Sequence, residues 1–330
     1  MVTTTMDETE FAELTEQHRR ELRVHCYRML GSFDEAEDLV QETFLRAWRK
    51  REQYAGRASL RAWLYKIATN ACLDLLDRTP RLIPELDLPV AVDSHLAPRP
   101  SVAVPWLQPF PDRLLEPDAL AVARETIELA FLAAVQHLSP RQRAVLILRD
   151  VVGWPAKEVA TLLETTPASV NSSLQRARAE LKDQLPARRA EWRAEPSEGE
   201  RAVVQCYMAA ITACDDAAIA ALLREDVRCS HQPGAGGHEG PEPTWYGGLA
   251  DVLAGWAPAL HGPHALEFRM VETQANGHPA VATYIKWDGV FHAFVLNALL
   301  IVDGKVAEVT NFVPAVFPAF DLPMTQASSP

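Results

Sequence analysis

Residues 138–181, LSPRQRAVLILRDVVGWPAKEVATLLETTPASVNSSLQRARAEL, hold the pattern from which the rest of the chain is read. Ser139-Pro140-Arg141-Gln142 supplies an N-cap serine, a proline at the first helical position and a glutamine able to close a capping box. The helix it opens is predicted to end near Gly153, and a second runs from about Pro155 to Glu164. Thr166-Pro167 then repeats the cap-plus-proline start and opens a third helix, from Pro167 to about Leu185. On that helix Val170, Leu174, Ala177 and Leu181 share a stripe. Ala168, Asn171, Ser172, Gln175 and Arg176 stand opposite, with Ser169 at the edge. A short helix, a tight turn and a second helix showing small and polar side chains is the helix-turn-helix arrangement. Small residues let such a helix enter the major groove, where Asn, Gln and Arg pair with base edges. Arg176, Arg178, Lys182, Arg188, Arg189 and Arg193 form a basic tail suited to phosphates. A plain helical hairpin with a solvated charged face carries the same pattern, and pattern alone does not separate the two.

Towards the N-terminus the chain becomes proline-rich, with nine prolines between Pro80 and Pro117. That density removes helical donors and favours extended or turning backbone, so 80–117 is predicted to be a linker. It carries an apolar, aromatic stretch, Val104-Pro105-Trp106-Leu107-Gln108-Pro109-Phe110, unusual for a solvated spacer. Residues 1–79 before it are predicted to be all helical. DEAEDLVQETFLRAWRK (34–50) places Ala36, Leu39, Val40, Phe44, Ala47 and Trp48 at helical spacing, acidic residues first and basic ones last. SLRAWLYKIATNACLDLLD (59–77) has Ser59 as N-cap and a stripe of Leu60, Leu64, Ile67, Ala71 and Leu75. Beyond the polar break at 193–200, the period changes. One helix is predicted over about 199–223, followed by strands joined at Asn276-Gly277 and Asp303-Gly304, both strong hairpin signals. The fold class is therefore two all-α domains, 1–79 and 118–193, then an α+β domain over 199–330.

The 330 residues carry a net charge of −12, at first sight unsuited to nucleic acid. The imbalance is local. Residues 1–80 hold 12 Lys/Arg against 14 Asp/Glu, residues 81–195 hold 14 against 15, and residues 196–330 hold 6 against 15. The acidic surplus thus lies in the last part, and the helical parts keep basic runs that can meet phosphates. No apolar run approaches the roughly 18 residues of a membrane span. The N-terminus, MVTTTMDETEF, has no apolar signal core, which places the chain in the cytoplasm with no membrane partner. Five cysteines without a C-x-x-C pair are expected to be reduced thiols.

Three motifs, in order, resemble those of bacterial RNA polymerase sigma factors of the extracytoplasmic-function (ECF) group. They are Asp38-Leu39-Val40-Gln41-Glu42-Thr43-Phe44 with Ala47-Trp48; Leu60 to Asn70; and Leu138 to Arg143 running on to Val170–Arg178. The acidic part is similar to the SnoaL-like cone fold that some of these factors carry, on its helix-then-hairpin order and the closing Phe312, Phe317 and Phe320-Asp321-Leu322-Pro323. The resemblance implies core RNA polymerase and promoter DNA as partners, no cofactor, no metal and no catalytic residue. It implies that Asp38, Gln41 and Glu42 dock on the polymerase while Leu39, Val40 and Phe44 are core. Arg57, Arg61, Lys66 and Asn70 would read and open the minus-ten element, which needs captured bases and neutralised phosphates. Ser169, Asn171, Ser172, Gln175, Arg176 and Arg178 would read the minus-thirty-five element. Family members often carry Lys where this chain has Asn171, which alters the expected base preference there. Trp63 is expected in the core, and Tyr65 stays open.

Trp106, Leu107 and Phe110, Trp106 above all, are expected to dock on the acidic domain and let it modulate the sigma domains in cis. A path along the polymerase is the alternative for that stretch. Two rival functions remain: a ligand-sensing helix-turn-helix regulator, against which the polymerase-docking motif speaks, and an acidic domain that keeps an enzymatic activity. Six histidines (His231, His238, His261, His264, His278, His292) lie in that domain beside Asp251 and Asp288, yet no spacing defines an acid–base pair. His261-x-x-His264 sits among Gly262 and Pro263, off any helix, and is a poor metal motif. Trp245, Tyr246, Trp256, Tyr284 and Trp287 could line a pocket for a small-molecule ligand or fill a core.

Overall fold

Ser32 Oγ accepts the Glu35 N–H at 3.4 Å and Ser59 Oγ accepts the Ala62 N–H at 3.2 Å. These caps start α3 (Phe33–Arg49) and α4 (Leu60–Arg78), the two motif-bearing helices. The computed structural model describes residues 8–54, 59–84, 96–115, 126–185, 197–238 and 240–327. The chain forms two units. The first draws on Met1–Leu82, Leu114–Ile127 and Phe131–Asp183, the second on Ile83–Arg113, Glu128–Ala130 and Gln184–Pro330. Among the described residues no helix is long and apolar enough to cross a membrane.

In the first unit α1 (Glu8–Glu16) and α2 (Arg19–Leu30) precede α3 and α4. Then come α5 (Leu129–Gln136), α6 (Pro140–Leu146), α7 (Ala156–Leu162) and α8 (Pro167–Gln184). The seam of α3 is narrower than its apolar residues suggest. Ala36, Val40, Thr43 and Ala47 are buried, whereas Leu39 and Phe44, expected in the core, are half-buried. Small side chains let helices approach closely, so the bulky ones are displaced to the flanks. There the Arg19 guanidinium lies 4.9 Å over the Phe44 ring and Trp48 meets Phe11 at 5.4 Å. The reverse holds for α4, which touches α2, α3 and α6. Its buried arc widens to include Tyr65, Ala68, Thr69, Cys72 and Leu76 beside Leu64, Ile67 and Ala71, while Leu60 and Leu75 are half-buried.

The helix that leads into the helix-turn-helix, α6, begins at the Ser139–Gln142 capping box. The end of that helix widens to an i→i+5 hydrogen bond, Val152 N–H to Ile147 O at 2.9 Å. Arg143, a charged residue in the sequence, is buried. Its guanidinium donates to the carbonyls of Val135 (2.9 Å), Gln136 (2.9 Å), Leu138 (3.2 Å) and Met29. Those carbonyls compensate a desolvated charge, and burial still pushes the group down to about 9.

The second unit starts with two helices where one was predicted, α9 (Glu198–Thr212) and α10 (Asp216–Leu222). The break falls at Cys214, with φ of +52°, after which Asp215 accepts the Ala218 N–H at 3.0 Å and restarts the helix. The sheet follows with β1 (Leu223–His231), β2 (Thr244–Gly247), β3 (Phe268–Ala275), β4 (His278–Trp287), β5 (Val290–Val302), β6 (Lys305–Phe312) and β7 (Thr325–Ala327). Its order is β2-β1-β6-β5-β4-β3, with β7 beside β5. All pairs are antiparallel except β1 with β6. Asn276-Gly277 and Asp303-Gly304 turn as predicted, with positive φ at both residues, the backbone hand that matches strand twist. Asp288-Gly289 makes a third such hairpin that the reading above passed over. Val204, Tyr207 and Ile211 of α9 and Val252 and Leu260 of α11 (Leu249–Leu260) pack on Val281, Leu299 and Val309 of the sheet.

Within the proline-rich stretch, residues 96–113 belong to this second unit. Leu96 packs with Val302 and Ala307, and Ala97 O accepts from Arg228 Nη1 at 2.9 Å. Leu107 O accepts from Gln232 Nε2. Phe110 exchanges two bonds with Asn276, its N–H to Oδ1 at 2.8 Å and its carbonyl from the Asn276 N–H at 3.0 Å. Asp112 Oδ1 then accepts the Gly277 N–H at 2.9 Å. Leu107 and Phe110 are completely buried and Trp106 only half-buried, so the two aliphatic and phenyl anchors, rather than the indole, lie deepest.

Candidate nucleic-acid and polymerase interface

On α3, Asp38 and Gln41 are exposed, and Glu42 is half-exposed with its carboxylate on Arg46 Nε at 2.8 Å. Arg46 also reaches Asp74 at 2.9 Å, and these two bonds raise its affinity for the proton. The structure adds Leu45, 52% exposed, seven residues after Asp38 and four after Gln41 on the same face. Its spacing from Asp38 and Gln41 was legible in the sequence, but attention there went to charge.

On α4, the candidate base-reading residues are already engaged. Arg61 Nε donates to Glu21 Oε2 at 2.7 Å, and its guanidinium lies 5.0 Å from the Tyr65 ring centre. Tyr65 is buried, donates to the same Glu21 oxygen at 3.2 Å and stacks 5.1 Å from Trp154 of the helix-turn-helix. Burial and the Glu21 carboxylate raise the Tyr65 hydroxyl well above its ordinary value. Lys66 Nζ pairs with Glu164 at 3.1 Å, and Asn70 is half-buried. Trp63 is half-buried against Tyr54 at 5.1 Å rather than in the core, because the closed arc of α4 turns past it. Arg57 lies outside the described residues.

His25, fully buried beneath Tyr65 at 4.9 Å, bonds Thr69 Oγ1 at 2.9 Å. Burial first, then the Arg28 and Arg61 charges, holds it down at about 3. The unfolded chain therefore binds this proton near pH 6.5 while the fold refuses it until about pH 3. Stability of the first unit is expected to fall as pH drops below 6.5, by up to about 1.4 kcal/mol per pH unit from this residue. Urea unfolding at pH 7 and pH 5 should show a smaller loss for His25→Gln than for the parent chain. Equal losses would contradict the assignment.

On α8, Ala168, Ser169, Asn171, Ser172, Gln175 and Arg176 are all exposed, and Val170, Ser173, Leu174 and Ala177 are buried. Thr166 Oγ1 caps the helix by accepting the Ser169 N–H at 3.2 Å. Arg178 is exposed but held in a two-bond fork by Asp150, at 2.8 and 2.7 Å. Arg188, Arg189 and Arg193 fall outside the described residues.

In the second unit, Tyr246 and Trp256 line a cavity, as do His231 and His238. Tyr284 instead is core, its hydroxyl donating to Pro323 O at 3.0 Å, and Trp287 is 74% exposed. His261 bonds Asp216 at 2.8 Å. Among the described residues no group of three or more His, Cys, Asp or Glu could hold a metal ion.

The capped helices α3 and α4 and the helix-turn-helix carry the three motifs read in the sequence, and family comparison places them. Sigma-70 region 2 matches residues 14–81 and Sigma-70 region 4 matches residues 128–181. The chain belongs to the ECF RNA polymerase sigma factors. It is 40% identical over 321 residues to ECF sigma factor SigG of Mycobacterium tuberculosis, covering 95% of this chain and 84% of that one. SigJ of the same organism is 31% identical over 225 residues, 67% of this chain and 64% of that one. The crystal structure of M. tuberculosis SigJ matches the fold over 95% of this chain and 99% of its own, at a TM-score of 0.59 and 24% identity. The α+β unit thus completes the expected order of two helical sigma domains followed by an α+β domain, and the SigJ fold extends over it. Factors of this family direct RNA polymerase to promoters for initiation; the polymerase performs the chemistry.

Proposed function

We propose that the chain reads a two-element promoter, the minus-thirty-five element through Ser169, Asn171, Ser172, Gln175 and Arg176 of α8. The observation that carries this is the exposed face of small and polar side chains on a capped second helix of a helix-turn-helix. Arg178, paired with Asp150, acts on the phosphates beside it. Asp38, Gln41, Glu42 and Leu45 form the polymerase-docking face. Arg61, Lys66 and Asn70, with Arg57, serve the minus-ten element. Arg61 and Lys66 must exchange Glu21 and Glu164 for nucleic acid, so the unbound factor is a weak DNA binder. It works in the cytoplasm, where core polymerase meets promoters.

Run-off transcription with core polymerase tests the reading. Arg176→Ala should cost roughly 1–3 kcal/mol of promoter discrimination and relax preference at one minus-thirty-five position. Equal loss across all promoter variants would make Arg176 a phosphate contact only. Asn70→Ala should act at the minus-ten element and leave minus-thirty-five preference unaltered.

The α+β unit modulates this activity in cis as a non-catalytic domain. Support comes from the bonds that hold 96–113 in that unit, at Gln232, Asn276 and Gly277. Those residues precede the helix-turn-helix in the chain, so their docking restricts the connection between the two DNA-reading elements.

A further inference from the structure

The cavity of the second unit lies between α9, α11 and the sheet and has a volume of about 110 Å³. Its wall is apolar: Tyr207, Ile211, Trp256, Leu260, Met270 and Phe294. Its polar side is one continuous chain. Thr283 Oγ1 donates to Asn297 Oδ1 at 2.7 Å, and Asn297 Nδ2 donates to Asn311 Oδ1. Asn311 Nδ2 then reaches Cys229 Sγ at 3.2 Å and His231 Nε2 at 3.3 Å. All of these except Cys229 line the cavity.

This polar chain does not saturate itself. An amide has two N–H groups and two oxygen lone pairs, and Asn297 uses one of each in the chain. His231 is buried, and burial holds it down at about 3, so its imidazole is neutral. Nε2 meets Asn311 Nδ2 and Cys229 Sγ at 3.3 Å each, and the ring packs against Gly236, where a Cβ would stand 3.0 Å from Nδ1. Buried polar atoms left open at a cavity wall are costly unless something fills them.

Size and charge restrict the occupant. An apolar cavity of about 150 Å³ accommodates benzene, so one of about 110 Å³ admits no more than a single ring. None of its lining residues is Asp, Glu, Lys or Arg. An ionised ligand would lose its hydration with no opposite charge to meet.

We propose that this cavity is a receptor site for a neutral, single-ring molecule bearing a hydroxyl or carbonyl group. The ring lies against Trp256 and its neighbours, and the polar group meets Thr283 and Asn297. The site goes beyond promoter recognition and does not depend on it. It also abuts the linker dock in sequence: Gln232, next after His231, donates its backbone N–H to the Asn311 carbonyl at 3.0 Å and its side chain to Leu107.

The test is fluorine NMR of 4-fluorophenol with the full chain at pH 7. Saturable line broadening is expected, reversed by excess phenol and not by benzoate. Fluorobenzene, lacking the hydroxyl, should bind about tenfold more weakly, as one lost buried hydrogen bond implies. Ala259→Trp, which fills the cavity without touching its polar side, should abolish binding. Should that variant melt early, Thr283→Val, which conserves volume, decides through an expected loss of about tenfold for 4-fluorophenol and none for fluorobenzene. No saturable broadening, competition by benzoate equal to phenol, or equal affinity for fluorobenzene overturns the proposal. Binding is read on the free chain, so a failure here is distinct from a failure of control over transcription.

Discussion

Replacing Phe110 with alanine is expected to destabilise the second unit by roughly 3–5 kcal/mol, the usual cost of emptying a fully buried phenyl site. Phe110 is completely buried, and its backbone exchanges two bonds with Asn276, itself buried at φ +57° in the β3–β4 turn. The ring and the backbone bonds hold the same short segment, so losing one weakens the other. Leu107→Ala should cost roughly 2–5 kcal/mol, and the double variant less than the sum, because both anchor one stretch. Trp106→Ala, at a half-buried position, should cost least of the three. Urea unfolding of the full chain measures these losses, and proteolysis of 96–113 reports whether the stretch has been released. In run-off transcription, Phe110→Ala and removal of residues 198–330 should shift promoter output in the same direction and should not add. Additive shifts, or a truncated protein with unaltered output, would remove the α+β unit from control of initiation.

Leu45→Asp is expected to weaken the complex with core polymerase at least about 30-fold, equivalent to roughly 2 kcal/mol, while leaving folding stability within about 0.5 kcal/mol. Its side chain is half exposed and makes no core, so the fold loses little. At an interface the same change both removes apolar area and buries a carboxylate without a partner. Asp38→Arg tests the other end of the face by charge reversal. Gel filtration with core polymerase reads both, and thermal melting separates docking from folding. An unaltered complex with Leu45→Asp would move the docking face elsewhere on α3, and a large drop in melting temperature would make Leu45 structural.

Local chemistry made much of this molecule legible. Ser139, Pro140 and Gln142 specify a helix start within four residues, and Asn276-Gly277 and Asp303-Gly304 specify turns by backbone hand alone. The stripe of Val170, Leu174 and Ala177 foretold which face of α8 is left exposed, because a 3.6-residue period reports burial when one face packs. Asp288-Gly289 carries the same turn signal as its neighbours, with positive φ at both residues.

Other features depend on which surfaces meet, and no local pattern records that. Arg143 reads as a surface charge until four carbonyls, one of them from Met29 far away in sequence, surround its guanidinium. Phe44 reads as core until small residues take the α3 seam. Thr283, Asn297, Asn311 and His231 are unremarkable polar residues along four different strands, and only the register of β4, β5, β6 and β1 aligns them into one chain on the cavity wall. The sequence by itself determined helix starts, turns, the readable face of α8 and the family. Tertiary structure decided which polar groups are desolvated, and with that where the buried charge, the docked linker and the cavity lie, because desolvation is a property of the whole packed surroundings and not of the residue.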